Sequence, residues 1–333
     1  MNTLPLPSPL RTAALVVMVF ATLVARAADP LPSWNDTGPK RALTAFVEKV
    51  TREGSPDFLP PSERIAVFDN DGTLWCEQPM YPQVMFAVDR LRTLAPKHPE
   101  WRRRQPFKKL MDAGPDRLVS VTDQELIEII KVTHTGMTTD EFADIVRAWI
   151  ATAKHPRTGR LYTEMVYQPM LELLAYLRGH GFKTFIVSAG GVEFMRVWAD
   201  QVYGVPTDQV VGTTFKTSYE LRGTTPVIVR QPKVDFVDDG PGKPIGINKF
   251  IGKRPVLAFG NADGDFQMLQ WTTTGPGPRL GLLVHHTDGV REYDYDAQSA
   301  VGRLDKALVA ASGYGWTVVS MKDDWAKIFP KGP

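Results

Sequence analysis

Residues 64–75 read RIAVFDNDGTLW, and the character of the chain changes in the middle of this stretch. Residues 65–68 are apolar and include β-branched side chains, a pattern that predicts a buried strand. Asp69 and Asp71 follow directly, and Gly72 ends the strand in a turn. Open α/β sheets bind their ligands at the carboxyl ends of parallel strands. The stretch therefore predicts a site to which one strand delivers two carboxylates.

The composition is that of an ordinary folded protein. The chain has 333 residues, of which 43% are hydrophobic and 23% are charged, so it can bury a sizeable core in one large domain or two smaller ones. With 39 basic and 37 acidic residues the net charge is +2, which gives no indication of nucleic-acid binding. The single cysteine, Cys76, excludes an internal disulfide, and we interpret it as a packing residue.

The N-terminus has the pattern of an export signal. Arg11 precedes a mostly apolar run over residues 12–25, which is typical of the hydrophobic region of a signal peptide and short for a membrane span. The sequence ARA at residues 25–27 is a small-x-small cleavage pattern, so residues 1–27 are predicted to be removed. An uncleaved anchor is the less favoured alternative. We therefore expect an exported protein, periplasmic or secreted, without a membrane attachment after cleavage.

Residues 76–160 show helical periodicity without a convincing strand pattern. Helices are predicted over residues 83–94, 123–132 and 138–153. In the last of these the apolar side chains recur at the spacing of one helix face, at Phe142, Ile145, Val146, Trp149 and Ile150. The region is therefore predicted to be an all-helical insertion.

The rest of the chain alternates between helices and strands. Buried strands are predicted over residues 183–187, 255–259 and 280–284, with a short strand at 210–211. Hairpins are predicted over residues 215–235, with turns at 222–223 and 231–232, and helices over residues 40–50, 170–178, 192–203, 247–251 and from 266 onward. This alternation predicts a Rossmann-like α/β fold, in which a mainly parallel sheet carries helices on both faces.

Polar residues that suit phosphate chemistry follow several of these strands. Because parallel strands end at one edge of a sheet, their terminal residues can converge. Several carboxylates in one pocket call for a cation, and hard oxygen ligands suit Mg²⁺. A hydroxyl, backbone N–H groups and a lysine are donors for phosphate oxygens. One carboxylate is then available as a nucleophile and a second for proton transfer.

Four stretches resemble, in the same order, the motifs of the haloacid dehalogenase (HAD) superfamily of phosphohydrolases. They are DNDGTLW at residues 69–75, FIVSAGG at 185–191, GK at 242–243 and GNADGD at 260–265. The resemblance covers about residues 65–290, and four motifs in order on the expected elements are specific. The helical insertion resembles the C1 cap of the phosphoserine-phosphatase-like branch. The resemblance therefore implies an α/β core at residues 28–75 and 161–333 and a cap at residues 76–160.

The resemblance also implies a role for each matching residue. Asp69 would be the nucleophile that forms an aspartyl-phosphate, and Asp71 would be first the general acid and then the general base. Ser188 and the backbone N–H of Gly190 would hold the phosphoryl oxygens. Lys243 would neutralise charge between Asp69 and the phosphate.

The fourth motif departs from the family pattern, because Asn261 stands where the family usually has an aspartate. An amide oxygen can ligate Mg²⁺ but brings no charge. Either Asn261 ligates with support from Asp265, or Asp263 serves as the anionic ligand. We favour the first, which makes Asp69, the Asp71 carbonyl, Asn261 and Asp265 the predicted Mg²⁺ site.

Some of these and neighbouring residues admit other interpretations. Residues 69–72 could begin a calcium loop, but they follow a strand, and Met80 occupies the position where that loop needs a glutamate. His285 and His286 are adjacent on a strand and face opposite ways, so at most one could reach the pocket, and a structural role is favoured. Glu77, at the predicted hinge of the cap, is a further candidate for contact with the substrate.

The predicted activity follows from the pair of aspartates in the first motif. A dehalogenase has no alkoxide to protonate, so the presence of Asp71 favours phosphoryl chemistry. The sequence predicts an exported, Mg²⁺-dependent phosphomonoesterase that acts on a small organic phosphate. The alternatives are a phosphotransferase or phosphomutase with the same intermediate, and a non-catalytic exported protein that binds phosphate or metal. Neither the substrate nor the oligomeric state is predicted.

Overall fold

The structure is a computed structural model that describes residues 29–112 and 122–330. The predicted signal peptide, residues 1–27, lies outside the described residues. Within the described ranges no helix is both long and apolar enough to cross a membrane.

Eight strands of the described residues form one sheet. They are β1 (Ile65–Phe68), β2 (Lys183–Gly191), β3 (Val210–Arg222), β4 (Thr225–Phe236), β5 (Leu257–Gly260), β6 (Leu280–Thr287), β7 (Asp294–Tyr295) and β8 (Thr317–Ser320). Their order is β4-β3-β2-β1-β5-β6-β7, and β8 also pairs with β6. Only β4 and β7 run antiparallel to their partners, so the predicted mainly parallel sheet is confirmed.

Twelve α-helices accompany the sheet in the described part of the chain. They are α1 (Gly38–Thr51), α2 (Pro82–Leu94), α3 (Phe107–Asp112), α4 (Asp123–His134), α5 (Thr139–Ile150), α6 (Gln168–Gly179), α7 (Val192–Arg196), α8 (Ala199–Tyr203), α9 (Gly242–Gly246), α10 (Phe266–Thr273), α11 (Lys306–Tyr314) and α12 (Met321–Asp324). A π-helical turn (Ile247–Ile251) continues α9.

The first strand occupies the centre of the sheet, between β2 and β5, and all four of its residues are buried. Ile65 and Val67 belong to one hydrophobic cluster, whereas Ala66 and Phe68 belong to another. Successive side chains of a strand point to opposite faces, so both faces of β1 are covered. A continuous apolar run is what such a doubly covered strand requires.

Four helices, α2 to α5, follow β1 in the described part of residues 76–160. The α5 helix begins at a capping box, in which the Thr138 hydroxyl accepts from Glu141 N and the Glu141 carboxylate accepts from Thr138 N. The β3–β4 hairpin reaches this region, because Arg230 N donates to Met137 O and Gly136 N donates to Arg230 O, each at 2.9 Å. The division into core and cap remains a prediction.

Several details differ from the sequence-based expectations, and the elements after β6, namely β7, α11, β8 and α12, were not predicted. Residues 210–236 form one long hairpin, β3–β4, rather than a short strand followed by hairpins. The expected turn at residues 231–232 is an irregularity within β4, and Pro232, which lacks an N–H, is tolerated in such a bulge. The expected helix over residues 192–203 is split into α7 and α8 at Trp198, whose φ of −130° lies outside the helical range. The buried Trp198 ring packs against the Trp75 ring, with 4.4 Å between the ring centroids.

Candidate active site

Asp69 is the first residue beyond β1, and it stays attached to the sheet. Its backbone N–H donates to the Phe259 carbonyl of β5 at 2.9 Å, and the residue is 7% exposed. Its Oδ1 accepts a hydrogen bond from Lys243 Nζ at 2.6 Å. Burial and the charge of Asp265 raise the pKa of Asp69, although Lys243 opposes that change. A further cation would therefore favour the ionised carboxylate.

The loop after Asp69 is closed on itself. The Asn70 carbonyl accepts from the backbone N–H groups of Thr73, Leu74 and Trp75 at 2.8–3.2 Å. Gly72 has a φ of +80°, and an added Cβ would lie 1.9 Å from the Asn261 side-chain nitrogen. Glycine is thus needed here both for the left-handed backbone and for the close approach of the fourth motif.

Asp71 has surroundings different from those of Asp69. Its side chain is half-buried, and its Oδ1 accepts a 3.4 Å hydrogen bond from the Asn70 amide. Burial raises its pKa to about 7, against the lowering effects of the Lys243 charge and the Asn70 hydrogen bond. A carboxyl with this pKa can both give and take a proton near neutral pH.

Lys243, carried by α9, joins three strand ends. Its Nζ donates to Asp69 Oδ1 at 2.6 Å, to the Val187 carbonyl of β2 at 3.1 Å and to Asp265 Oδ1. The side chain is 2% exposed. Burial alone would lower its pKa, but the charges of Asp265 and Asp69 outweigh burial and raise it. Lys243 is therefore the central cation of the site.

Ser188 and Gly190 lie in the last residues of β2, where its register against β3 shifts. Ser188 is buried, and its Oγ accepts from Gly190 N at 3.1 Å. Gly191 N donates to Gln83 Oε1 at 2.7 Å, which brings α2 against this end of β2. The predicted phosphate donors thus lie within one short stretch, and Gln83 is a neighbour that no sequence motif indicated.

The residues of the fourth motif separate into two groups. Asp265 is buried, and its Oδ2 accepts from the backbone N–H groups of Asn261 and Ala262 at 2.9 and 3.1 Å. Asn261 is fully buried, and its Oδ1 accepts from the Thr73 hydroxyl at 3.0 Å. Asp263 points elsewhere, since its Oδ1 accepts from the N–H groups at the start of α11, those of Asp305 and Ala307.

Glu77 lies directly beside Asn261. It is 1% exposed, and its Oε1 accepts from Asn261 Nδ2 and from the Tyr295 hydroxyl, each at 2.8 Å. Burial raises its pKa well above the usual range, and the charges of Asp71 and Asp69 act in the same direction. The position of Glu77 just after the first motif suggested the site, but its partner 184 residues further on could not be inferred.

The two histidines of β6 have different environments. His286 is buried, with Nε2 2.8 Å from the Gly72 carbonyl and Nδ1 3.2 Å from Glu292 Oε2. His285 lies on the other side, 3.7 Å from Asp296. His286 supports the loop of the first motif from behind, in keeping with the favoured structural role.

Glu292, which the sequence did not indicate, anchors a buried polar network behind that loop. Its Oε1 accepts hydrogen bonds from the Cys76 thiol and the Tyr167 hydroxyl, each at 3.0 Å. Its Oε2 accepts a hydrogen bond from the backbone N–H of Tyr293. Cys76 therefore forms a hydrogen bond in addition to packing. Burial raises the pKa of this thiol, which is unfavourable for a nucleophile.

The donor set fits a hard divalent cation. Among the described residues, no three acidic, histidine or cysteine side chains converge on one point. The site instead offers carboxylate, amide and carbonyl oxygens, which Mg²⁺ accepts. Asp69, Asp71 and Glu77 all have raised pKa values, mainly through burial, and the neighbouring cation is Lys243. Added positive charge would relieve this excess of acidic groups.

Asp69, the buried Lys243 and Ser188 lie together at the edge of a mainly parallel sheet, an arrangement that can hold an anionic ligand beside a carboxylate. The sequence matches the family of haloacid dehalogenase-like hydrolases over residues 66–270, more than half of the chain. The chain therefore belongs to that family. No curated protein matches it.

Solved structures resemble the chain in its fold. One is a conserved functionally unknown protein from Anaerococcus prevotii DSM 20548, with 17% identity, a TM-score of 0.51 and coverage of 74% of this chain and 85% of that one. A phosphoserine phosphohydrolase-like protein from Francisella tularensis subsp. tularensis SCHU S4 has 15% identity, a TM-score of 0.35 and coverage of 66% and 87%. A probable phosphoserine phosphatase from Vibrio cholerae has 14% identity, a TM-score of 0.36 and coverage of 69% and 58%. Of these three, the first supports the fold, and the other two are too distant to support any conclusion about this chain.

Proposed function

We propose that this chain is an exported, Mg²⁺-dependent phosphomonoesterase that hydrolyses a small organic phosphate through an aspartyl-phosphate. The observation that supports this most strongly is the position of Lys243 Nζ, which contacts Asp69 Oδ1 at 2.6 Å, the Val187 carbonyl at 3.1 Å and Asp265. One ammonium group thereby contacts the proposed nucleophile, the residue before Ser188 and the fourth motif. This arrangement suits a doubly charged phosphoryl group.

In the first step an Asp69 oxygen attacks phosphorus, and the bond between phosphorus and the substrate oxygen breaks. Asp71 gives its proton to the leaving oxygen, so the product departs as an alcohol. In the second step Asp71, now a carboxylate, takes a proton from water as the water oxygen attacks phosphorus. Inorganic phosphate leaves, and the Asp69 carboxylate is regenerated.

The remaining residues bind and orient. The Ser188 hydroxyl would donate to a phosphoryl oxygen. The Gly190 N–H, which donates to Ser188 Oγ in the structure, would be a second donor once the phosphate is bound. Lys243 balances the negative charge of Asp69 and the phosphate as they approach. Mg²⁺ would be held by Asp69, the Asp71 carbonyl, Asn261 and Asp265, and when bound it would supply a Lewis acid that offsets phosphate charge.

The test uses the purified protein with an aryl phosphate. Asp69→Asn should abolish release of inorganic phosphate, and EDTA should remove activity that Mg²⁺ then restores. Asp263→Asn is the matched control, because this carboxylate faces α11 rather than the site and its loss should leave turnover nearly unchanged. Full activity of Asp69→Asn would exclude the mechanism.

Two further measurements separate the alternatives. An added alcohol acceptor that becomes phosphorylated would identify a phosphotransferase, whereas release of inorganic phosphate alone identifies a hydrolase. Phosphate binding without turnover would identify a binding protein. Export is tested by fractionation of cells that produce the full chain, with the N-terminus of the mature protein expected at residue 28.

A further inference from the structure

Glu77 is a buried carboxylate whose hydrogen-bond partners carry no positive charge. Its Oε1 accepts from an amide, Asn261 Nδ2, and from a hydroxyl, that of Tyr295. Among the residues that the structure describes, no ion pair includes Glu77, and Lys243 is engaged by Asp69 and Asp265. Buried carboxylates are normally paired with a cation or coordinate a metal. An acidic group without such a partner therefore lies beside the proposed cation site.

The hydrogen bond to Glu77 fixes the orientation of the Asn261 amide. Its nitrogen donates to Glu77 at 2.8 Å, and its oxygen accepts from the Thr73 hydroxyl at 3.0 Å. The reversed amide would place its oxygen against the Glu77 carboxylate, and two acceptors repel at that distance. The amide oxygen accepts one hydrogen bond and retains a second lone pair for a ligand.

Glu77 Oε1 is itself enclosed by backbone. An added Cβ would lie 2.3 Å from this oxygen at Gly72 and 1.8 Å from it at Gly302. These glycines and the two hydrogen bonds therefore crowd Oε1. The carboxylate can thus influence a cation through Asn261 rather than by direct contact of this oxygen.

We infer that Glu77 is a positioning residue for the divalent cation, acting through Asn261, and that this inference rests on the proposed function. Beside a bound cation, whose positive charge favours the ionised form, the Glu77 carboxylate supplies the negative charge that an amide ligand lacks. By accepting the amide N–H, it also increases the electron density on the amide oxygen, as carboxylates do for metal-bound histidines. The Glu77–Asn261 pair thereby replaces a single acidic ligand.

The test measures the affinity of the purified mature protein for Mg²⁺ and Mn²⁺ by calorimetry, without substrate. Glu77→Gln keeps the size and an acceptor for Asn261 but removes the charge, so it should weaken binding roughly 10- to 100-fold. Asn261→Asp in the Glu77→Gln background returns a carboxylate to the pair, with the introduced glutamine amide as its donor. This double variant should regain most of the lost affinity.

Controls separate the charge from loss of structure. Asp263→Asn neutralises a carboxylate in the same loop and should leave metal affinity unchanged, since that side chain faces α11. Tyr295→Phe removes a neutral donor and keeps the Glu77 charge, so its effect should be smaller than that of Glu77→Gln. Circular dichroism and Tm in EDTA establish that each variant is folded.

The outcomes are distinct. If Glu77→Gln binds both ions as tightly as the wild type, or if the double variant binds no better than Glu77→Gln, this inference is overturned while the proposed function stands. If the wild type binds neither ion and EDTA leaves hydrolysis intact, the Mg²⁺ dependence in the proposed function fails as well. Weaker metal binding by Glu77→Gln, followed by recovery of affinity in the double variant, supports the role of the Glu77–Asn261 pair.

Discussion

At the scale of single residues, two aspartates on one loop are prepared for different tasks. Asp69 is buried and bonded to Lys243, whereas Asp71 is half-buried and its side chain accepts a hydrogen bond from the Asn70 amide. The first environment would hold the proposed nucleophile in place. The second gives a carboxyl that titrates near neutrality, because burial raises its pKa to about 7. Separate environments for paired carboxyls are how acid and base roles are divided.

Asp71→Asn should therefore reduce hydrolysis according to the leaving group. We expect a loss of roughly 10²- to 10⁴-fold with an alkyl phosphate, whose alkoxide needs a proton, and a smaller loss with an aryl phosphate. In the wild type, kcat/KM for the alkyl phosphate should fall as pH rises through about 7, because the acid form is lost. Equal losses for both substrates would show that Asp71 is not the acid.

Lys243 should be as important for stability as for activity. Lys243→Met leaves the Asp69 and Asp265 carboxylates buried without their cation, which should cost about 3–5 kcal/mol of unfolding free energy. Lys253→Met is the matched control, since its ion pair with Glu63 is exposed and is worth about 0–1 kcal/mol. Urea unfolding at pH 8 in EDTA compares the two, and similar losses would contradict the central role of Lys243.

Most of the site residues that the sequence indicates lie near a strand end, and Lys243, on α9, is the exception. Asp69, Ser188 and Asp265 lie at the ends of β1, β2 and β5, and the sheet brings Asp69 and Asp265 together at Lys243 as expected. Glu77 was indicated by position alone, and Glu292 was not indicated at all. Their contacts span 184 and 216 residues, to Asn261 and to Cys76. No local periodicity or turn signal encodes such pairs.

At the scale of elements, the sequence predicted the buried strands well because each is a short apolar run between turn residues. It did not predict that β3 and β4 form one hairpin that reaches the helices after β1. Arg230 makes this connection: it is 3% exposed, its Nε donates to the His134 carbonyl at 2.6 Å, and its guanidinium lies 4.1 Å from the centre of the Phe142 ring. Tertiary contacts of this kind override local alternation.

Arg230→Ala should accordingly destabilise the protein by about 3 kcal/mol or more, because a buried guanidinium with a carbonyl, an aromatic face and the Glu193 carboxylate as partners is lost. Arg222→Ala on the same hairpin is the control. Its ion pair with Glu141 is about half exposed, so we expect about 0–1 kcal/mol. Thermal unfolding of both variants is the measurement, and an equal effect would show that the hairpin is not held through Arg230.

At the scale of the whole molecule, the fold concentrates acidic groups at one edge of the sheet at some cost in stability. Burial raises the pKa values of Asp69, Asp71 and Glu77. Burial acts in the same direction on Glu292, but hydrogen bonds from His286, Cys76 and the Tyr293 N–H outweigh it and lower the pKa of Glu292. Groups of the first kind make the folded state less stable at higher pH, and a group of the second kind makes it less stable at low pH. A divalent cation that binds the folded state would stabilise it by mass action and so offset the stability lost through the buried acidic groups.

This balance predicts how stability depends on pH and on Mg²⁺. The pKa of Asp71 rises from 3.8 to about 7 on folding, so its contribution is complete below about pH 4 and is lost as pH rises through 7. Three pKa units correspond to about 4 kcal/mol, and partial solvent contact reduces this to about 1–2 kcal/mol. Glu292 acts oppositely, since its lowered pKa gives stability that is lost as pH falls below 4.5.

Thermal unfolding between about pH 4 and pH 8.5, in EDTA and in Mg²⁺, checks this prediction. In EDTA the Tm should decline from about pH 5 to pH 8, and Mg²⁺ should raise the Tm more at pH 8 than at about pH 5.5, where protons compete for the same carboxylates. Asp71→Asn should make the EDTA profile less steep, because the amide no longer titrates while Asp69 and Glu77 still do. If the Tm in EDTA instead rises steadily up to pH 8, the protein itself already neutralises the acidic groups at this edge of the sheet. That result would contradict the argument that these groups require a divalent cation.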